Sequence, residues 1–185
     1  GTYQKEVGEL SGTLGNIEKL SKIDEELLQK YSKISFLNEH FKPVQLSEIP
    51  EEFSYRANKV LQVHSGAFPH LMDMFNAAKD NEIDLYAFSA FRSFNEQGAI
   101  LDRYTVVYGA GTANQFSADQ GYSEHQLGTT VDFITKGIGG TLTGFEKTDA
   151  YEWMQENAYK YGFVLSYPKN NDFYIFEPWH WRFVG

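Results

Sequence analysis

The chain has 185 residues, 42% of them hydrophobic, including 15 Phe and 12 Tyr. That is enough apolar material for one domain with a buried core, and it excludes a disordered chain. A formal net charge of -9 argues against a nucleic-acid partner, which would need a basic face, and the lack of cysteine excludes disulfides and thiolate metal sites.

No apolar run is long enough to span a bilayer. The chain starts at Gly1 without a Met, so the expectation is a trimmed chain in which a removed export signal or anchor would be invisible. In residues 1–34, Leu14, Ile17, Leu20, Ile23, Leu27 and Leu28 recur at roughly helical spacing. An amphipathic N-terminal extension or linker is expected there, and the functional domain over 35–185. Ser35 to Asn38 is a short strand candidate. Lys42 to Pro50, with two prolines, reads as an extended connector.

Val60, Leu61, Phe68, Leu71, Met72, Phe75 and Ala78 fit helical faces, with Pro69 either opening a second helix or kinking one. Asp84 to Phe88 reads as a buried strand, Asn95 to Val107 as a helix, and Gly109 to Asn114 as a loop. Thr129 to Ile134 is the next strand. Thr148 to Tyr161 is a helix with Thr148 as N-cap and Gly162 as its stop. Phe163 to Leu165, Phe173 to Ile175 and Trp181 to Phe183 end the chain as short strands. Helices first and short strands late give α+β, with a small, mainly antiparallel sheet flanked by helices.

Three stretches carry chemistry. In Ser123-Glu124-His125-Gln126-Leu127-Gly128-Thr129-Thr130-Val131-Asp132, Gly128 permits a tight turn that would bring His125 back toward Asp132. A carboxylate among β-branched and aromatic residues needs a partner. In the tail Glu177-Pro178-Trp179-His180-Trp181-Arg182, His180 could add a second nitrogen. Two His and one carboxylate leave an open position on Zn²⁺, as in a catalytic site. Glu177 then fits a proton carrier. In a regular strand residues 177 and 180 would face opposite ways, and Pro178 predicts a bend that lets them converge. The third stretch, Phe91-Arg92-Ser93 with Gln97, places a guanidinium between a strand and a helix, where it can pair a carboxylate or an oxyanion.

Each piece alone also has a structural explanation: a hydrogen-bonded loop histidine, a paired strand aspartate, an arginine in an ion pair, indoles in a plain core. His40, His64 and His70 have no carboxylate constellation and read as surface or packing residues.

Taken together and in this order, the three stretches resemble the VanY-like zinc D-alanyl-D-alanine carboxypeptidases. That family includes L,D-carboxypeptidases, is grouped with the D-alanyl-D-alanine dipeptidases, and shares a metal core with the hedgehog signalling domain. The resemblance covers residues 35–185. It implies a hedgehog/D,D-peptidase-like zinc peptidase fold and one Zn²⁺ bound by His125, Asp132 and His180. It implies Glu177 as general base and acid, and Arg92 against the substrate carbonyl, oxyanion or terminal carboxylate. Gln97, Ser123 and Trp179 would help bind a peptidoglycan stem peptide ending in D-alanine. Thr129, Thr130 and Ala90 depart from the family's usual residues without removing a catalytic group. The resemblance further implies extracytoplasmic action; the chain is expected to be a monomer without a nucleic-acid partner, and any membrane attachment would run through an N-terminal anchor removed from this sequence. A D,D-dipeptidase or endopeptidase uses the same chemistry. A non-catalytic zinc-stabilised cell-wall-binding domain is the alternative of a different class, and the retention of Glu177 and Arg92 speaks against it.

Overall fold

The computed structural model describes residues 37–99, 123–170 and 175–185. The expected N-terminal helix, the loop at 109–114 and the later part of the helix expected from Asn95 lie outside these residues. So do residues 35 and 36 of the first strand candidate, whose Leu37 and Asn38 are not in a strand, and residues 173 and 174 of the Phe173 to Ile175 candidate.

Two antiparallel sheets frame the domain. The smaller pairs β1 (Leu46–Glu48) with β2 (Gln62–His64), Ser47 opposite Val63. The larger has the order β3-β4-β6-β5, formed by β3 (Tyr86–Ser89), β4 (Thr130–Ile134), β5 (Phe163–Leu165) and β6 (His180–Phe183). All its neighbours are antiparallel, as the α+β expectation required. The smaller sheet corrects two expectations. Part of the Lys42 to Pro50 connector is β1, and Val60-Leu61 leads into β2 rather than into a helix. Residues this short and half-buried reveal their pairing only when the partner strand is present.

Helix α1 (Phe68–Asp80) carries Pro69 in its first turn, where the missing N–H costs nothing. Its buried residues Leu71, Met74, Phe75 and Ala78 follow the helical repeat and lie against the large sheet. Phe75 stacks on Phe53 at 4.7 Å and meets Phe133 of β4 edge-on at 5.8 Å. Helix α2 (Asp149–Asn157) begins at the expected cap: Thr148 Oγ1 accepts from the Tyr151 N–H at 3.3 Å. A 3₁₀ turn, Ala158–Tyr161, extends it to Gly162, whose φ of 77° is left-handed. A Cβ on Gly162 would lie 2.8 Å from Phe183 Cε2, so the turn also needs glycine for space.

Every residue of β4 is buried. Val131 and Phe133 point into the hydrophobic core, together with Ala87, Phe163 and Trp181 from the other strands of the sheet. The alternate residue, Asp132, therefore faces the other side of the sheet. On that side the functional groups gather.

Candidate metal centre

The register of the large sheet makes Asp132 the direct cross-strand partner of His180, and places Ser89 opposite it on the other edge. Neighbours across a sheet have side chains within contact distance. The third ligand comes from a 3₁₀ turn, Glu124–Leu127, just before β4. Gly128 closes that turn at φ 73°, with its N–H donating to the His125 carbonyl at 3.1 Å. The Gly128 carbonyl in turn accepts from the N–H of His64 at 2.7 Å, which pins the turn to β2. The tight turn expected at Gly128 thus folds His125 back over Asp132.

His125 Nε2 lies 3.2 Å from Asp132 Oδ2, and His180 Nδ1 lies 3.2 Å from Asp132 Oδ1. The three residues are buried, and one ligand atom from each lies within 4.8 Å of the others. His125 Nε2 and Asp132 Oδ1 are buried without a hydrogen-bond partner among the described residues. Polar atoms in that position are costly unless something else satisfies them. Tetrahedral bonds of about 2.0–2.2 Å put ligand atoms about 3.3–3.6 Å apart, close to the 3.2 Å from each imidazole to its Asp132 oxygen. Two imidazoles, one carboxylate and an open position form the donor set of a catalytic Zn²⁺ centre, and the orphaned atoms fit such an ion.

The second nitrogen of each histidine fixes its role. A carbonyl can only accept, so the 2.7 Å contact between His125 Nδ1 and the Ala90 oxygen puts the proton on Nδ1 and leaves the Nε2 lone pair for the ion. His180 is the mirror case: Nε2 meets Glu124 Oε2 at 3.1 Å, and Nδ1 faces Asp132.

Burial and the Arg92 charge push His125 down to about 4, against the opposing pull of Asp132. Burial alone would also lower His180, but the Asp132, Glu124 and Glu177 carboxylates around the ring outweigh it and raise it to about 9. Burial would raise Asp132 too, yet the two imidazoles hold it well below the usual carboxylate range. Without an ion the site therefore keeps one proton on His180 at neutral pH, and a cation would replace it.

Glu177 and His180 bracket a turn in which the His180 N–H donates to the Glu177 carbonyl at 3.1 Å, with Pro178 and Trp179 between. The expected bend is present: Glu177 Oε2 comes within 3.4 Å of His180 Nδ1. The Glu177 side chain keeps 25% exposure, open enough to meet a substrate. Burial pushes its carboxyl up to about 7, aided by the charges of Asp132 and Glu124 and opposed by His180 and Arg92.

Arg92 is half-buried and its N–H donates to the His125 carbonyl at 3.2 Å, which puts its backbone beside the first ligand. Its charge is felt by both His125 and Glu177. A capping box follows it: Ser93 N and Oγ both donate to Glu96 Oε2 at 2.8 Å, while Glu96 N donates to Ser93 Oγ at 3.3 Å. This opens the helical segment at 94–99, two residues after Arg92. Ser123 and Gln97 are buried, and Trp179 is partly buried against the core with its carbonyl accepting from Phe133 N at 2.9 Å. His64, His70 and His40 stay outside the centre. His64 Nδ1 accepts from Gly66 N at 3.0 Å, His70 stacks on Phe183, and His40 pairs with exposed Glu39.

One residue in the centre had no role assigned from sequence. Glu124 is buried, accepts from Ser166 Oγ at 2.6 Å and from Arg182 Nη1 at 2.7 Å, and contacts His180 as described. The only sequence signal was an acidic residue next to His125, and nothing local tied it to β6.

Fold and site together define an α+β metal-binding domain with a carboxylate poised beside the ion's place. The VanY family model, described as D-alanyl-D-alanine carboxypeptidase, matches residues 60–185. The chain belongs to that family. YodJ of Bacillus subtilis strain 168 is 36% identical over 166 residues, which cover 87% of this chain and 61% of YodJ. The chain thus spans less than two thirds of that relative. The structure is also similar to the LdcB LD-carboxypeptidase, with a TM-score of 0.74 and 35% identity over 84% of this chain and 75% of that one. A mutant of the vancomycin-resistance D,D-pentapeptidase VanY, in complex with Zn(II), aligns with a TM-score of 0.66 and 25% identity, covering 88% of this chain and 89% of that one.

Proposed function

We propose that this chain is a zinc-dependent carboxypeptidase that removes the C-terminal D-alanine from peptidoglycan stem peptides. The observation that carries the reading is the buried trio His125, Asp132 and His180 with Glu177 Oε2 3.4 Å from the His180 ring. Membership of the family, and similarity to an L,D-carboxypeptidase and a zinc-bound D,D-pentapeptidase, support the substrate class.

The roles are those that the family resemblance implies, and the placement of the trio and of Glu177 supports them. His125 through Nε2, His180 through Nδ1 and Asp132 through its carboxylate would hold one Zn²⁺. Bound there, the ion would polarise the scissile carbonyl and lower the pKa of water, its usual service in hydrolysis. Glu177 takes up a proton at Oε2 and returns it to the leaving amine of D-alanine. A carboxyl raised to about 7 suits a group that must both accept and give a proton near neutral pH. Arg92 pairs the developing oxyanion or the terminal carboxylate of the peptide. Ser123 and Gln97 orient the D-alanine, and the indole of Trp179 walls the site and excludes water.

The chain is taken as a monomer, with the functional domain at 35–185 and residues 1–34 as an extension. Stem peptides lie outside the cytoplasmic membrane, so we place the protein there, with any membrane attachment through residues that precede the domain. Among the described residues no helix is long and apolar enough to cross a membrane. The test incubates zinc-loaded protein with stem tetrapeptide and pentapeptide and weighs the products. Loss of one alanine from either supports the reading and separates L,D- from D,D-specificity. Loss of a dipeptide moves the chain to the dipeptidase or endopeptidase branch, and two intact peptides overturn the reading.

A further inference from the structure

The two histidine ligands are steadied by different kinds of group. His125 rests on a backbone carbonyl, at 2.7 Å from the Ala90 oxygen. His180 rests on a side chain, Glu124, which comes from the turn that also carries His125. A carboxylate buried to 3% exposure is costly unless its oxygens are filled. Here they are filled by three donors. Oε1 takes Arg182 Nη1 at 2.7 Å, and Oε2 takes both Ser166 Oγ at 2.6 Å and His180 Nε2 at 3.1 Å.

Those donors hold the carboxylate in one place. His180 and Arg182 alternate along β6 and therefore project from the same face of the strand. Ser166 follows β5 directly and also donates its own N–H to the His180 carbonyl at 3.2 Å. Glu124 is thus fixed on two strands and on the 3₁₀ turn at once. A carboxylate that accepts from a ring N–H sets which nitrogen bears the proton and makes the other a better donor to a metal.

We propose that Glu124 is the positioning residue of the metal centre: by accepting the Nε2 proton of His180, it holds that imidazole as the tautomer whose Nδ1 lone pair faces Asp132 and the ion. Ser166 and Arg182 act through it by locking the carboxylate. The inference rests on the zinc reading above and adds that the two histidine ligands bind as opposite tautomers.

The test uses two readouts on the zinc-loaded protein. The first is long-range ¹⁵N–¹H NMR of the histidine rings in the wild type. Protonated Nδ1 on His125 and protonated Nε2 on His180 are expected, and a His180 protonated on Nδ1 overturns the proposal. The second is zinc affinity of Glu124→Gln, measured by competition with a chromogenic chelator. Loss of a group that orients a metal-binding histidine weakens binding by about 10–100-fold, and that loss is expected here. A Glu124 that serves only the fold would lower the melting temperature of the metal-free protein and move neither readout. A folded E124Q that binds zinc within about threefold of wild type therefore also overturns the proposal, because it falls short of the expected range. If E124Q does not fold, the wild-type ring spectrum decides alone. A wild type that takes up no zinc overturns the zinc reading, and this inference with it.

Discussion

His125 and His180 address one carboxylate with opposite nitrogens, Nε2 at 3.2 Å from Asp132 Oδ2 and Nδ1 at 3.2 Å from Oδ1. Their rings stand edge to face, 4.9 Å between centroids and 87° between planes. Asp132 is the centre of the trio, since among the described residues it is the carboxylate that meets both rings through buried oxygens. Asp132→Asn keeps the shape and removes the charge. It is expected to weaken zinc binding by at least about 100-fold, at the upper end of what loss of a supporting group costs. Equilibrium dialysis against buffered zinc measures it, and an unchanged affinity would show the ion to be held elsewhere.

Glu177 should separate binding from turnover. Glu177→Gln removes the proton carrier but none of the three proposed ligands. Zinc content is expected to stay at one ion while the release of D-alanine falls by about 10²–10⁴-fold, the usual contribution of a general acid–base group. Turnover at the wild-type rate would mean that the proton moves through another residue.

Acidity gives a third expectation, for the protein stripped of metal. Glu177 at about 7 and His180 at about 9 both lie above their ordinary values, so the folded state holds these protons more tightly than the unfolded chain. Their contribution is full below the unfolded values and is lost as the pH rises through 7 and then 9. His125 runs the other way: lowered to about 4, it contributes above its ordinary value and loses that as the pH falls through 4. Asp132, also lowered, adds to the loss in acid. Between ordinary His acidity and pH 9 the rest of the Glu177 effect goes first, near 7, and the larger His180 effect follows towards 9. The metal-free protein should lose stability there by an amount on the order of a few kcal/mol. The zinc-loaded protein should not, because the ion has already replaced the proton. Calorimetric melting at pH 6.5 and pH 9, with and without a chelator, reads the difference. Parallel curves would remove His180 as the protonated partner of the carboxylates.

Gly128 supplies a fourth. At φ 73°, a side chain there is strained, and a Cβ would sit 3.2 Å from both Leu46 Cδ2 and Pro43 Cγ. Gly128→Ala is expected to cost about 1–3 kcal/mol from left-handed backbone strain and crowding. It should also weaken zinc uptake, because the turn carries His125. Chemical denaturation with and without zinc tests both halves, and a fully stable variant would show that the turn relaxes freely.

The segment before the family match contributes to the same turn. Gln126 is fully buried, and its Nε2 donates to the carbonyls of Asn38 at 3.0 Å and Phe41 at 3.2 Å. Removing residues 1–45 should therefore lower the melting temperature and the zinc affinity together. Gln126→Ala should reproduce part of the loss, on the order of 1–3 kcal/mol for a lost buried hydrogen-bonding group. A truncated domain with full zinc affinity would make residues 38–45 a passive tether.

The sequence alone determined the elements whose signal is local. The periodic apolar face of α1, the Thr148 cap and the buried run of β4 were legible because helical repeat and capping chemistry act over a few residues. The ligand types were legible too, since a chain without cysteine leaves a metal to His and carboxylates, and Pro178 signalled the turn that joins Glu177 to His180. Strands β1 and β2 were missed because three-residue strands are stabilised by their partner, not by their own pattern. Only the tertiary structure decided that Asp132 and His180 are cross-strand neighbours, and that Glu124 reaches Arg182 and His180 across 58 and 56 residues of chain. Strand register and a buried ion pair are settled by packing between distant segments, so no local stretch of the sequence records them.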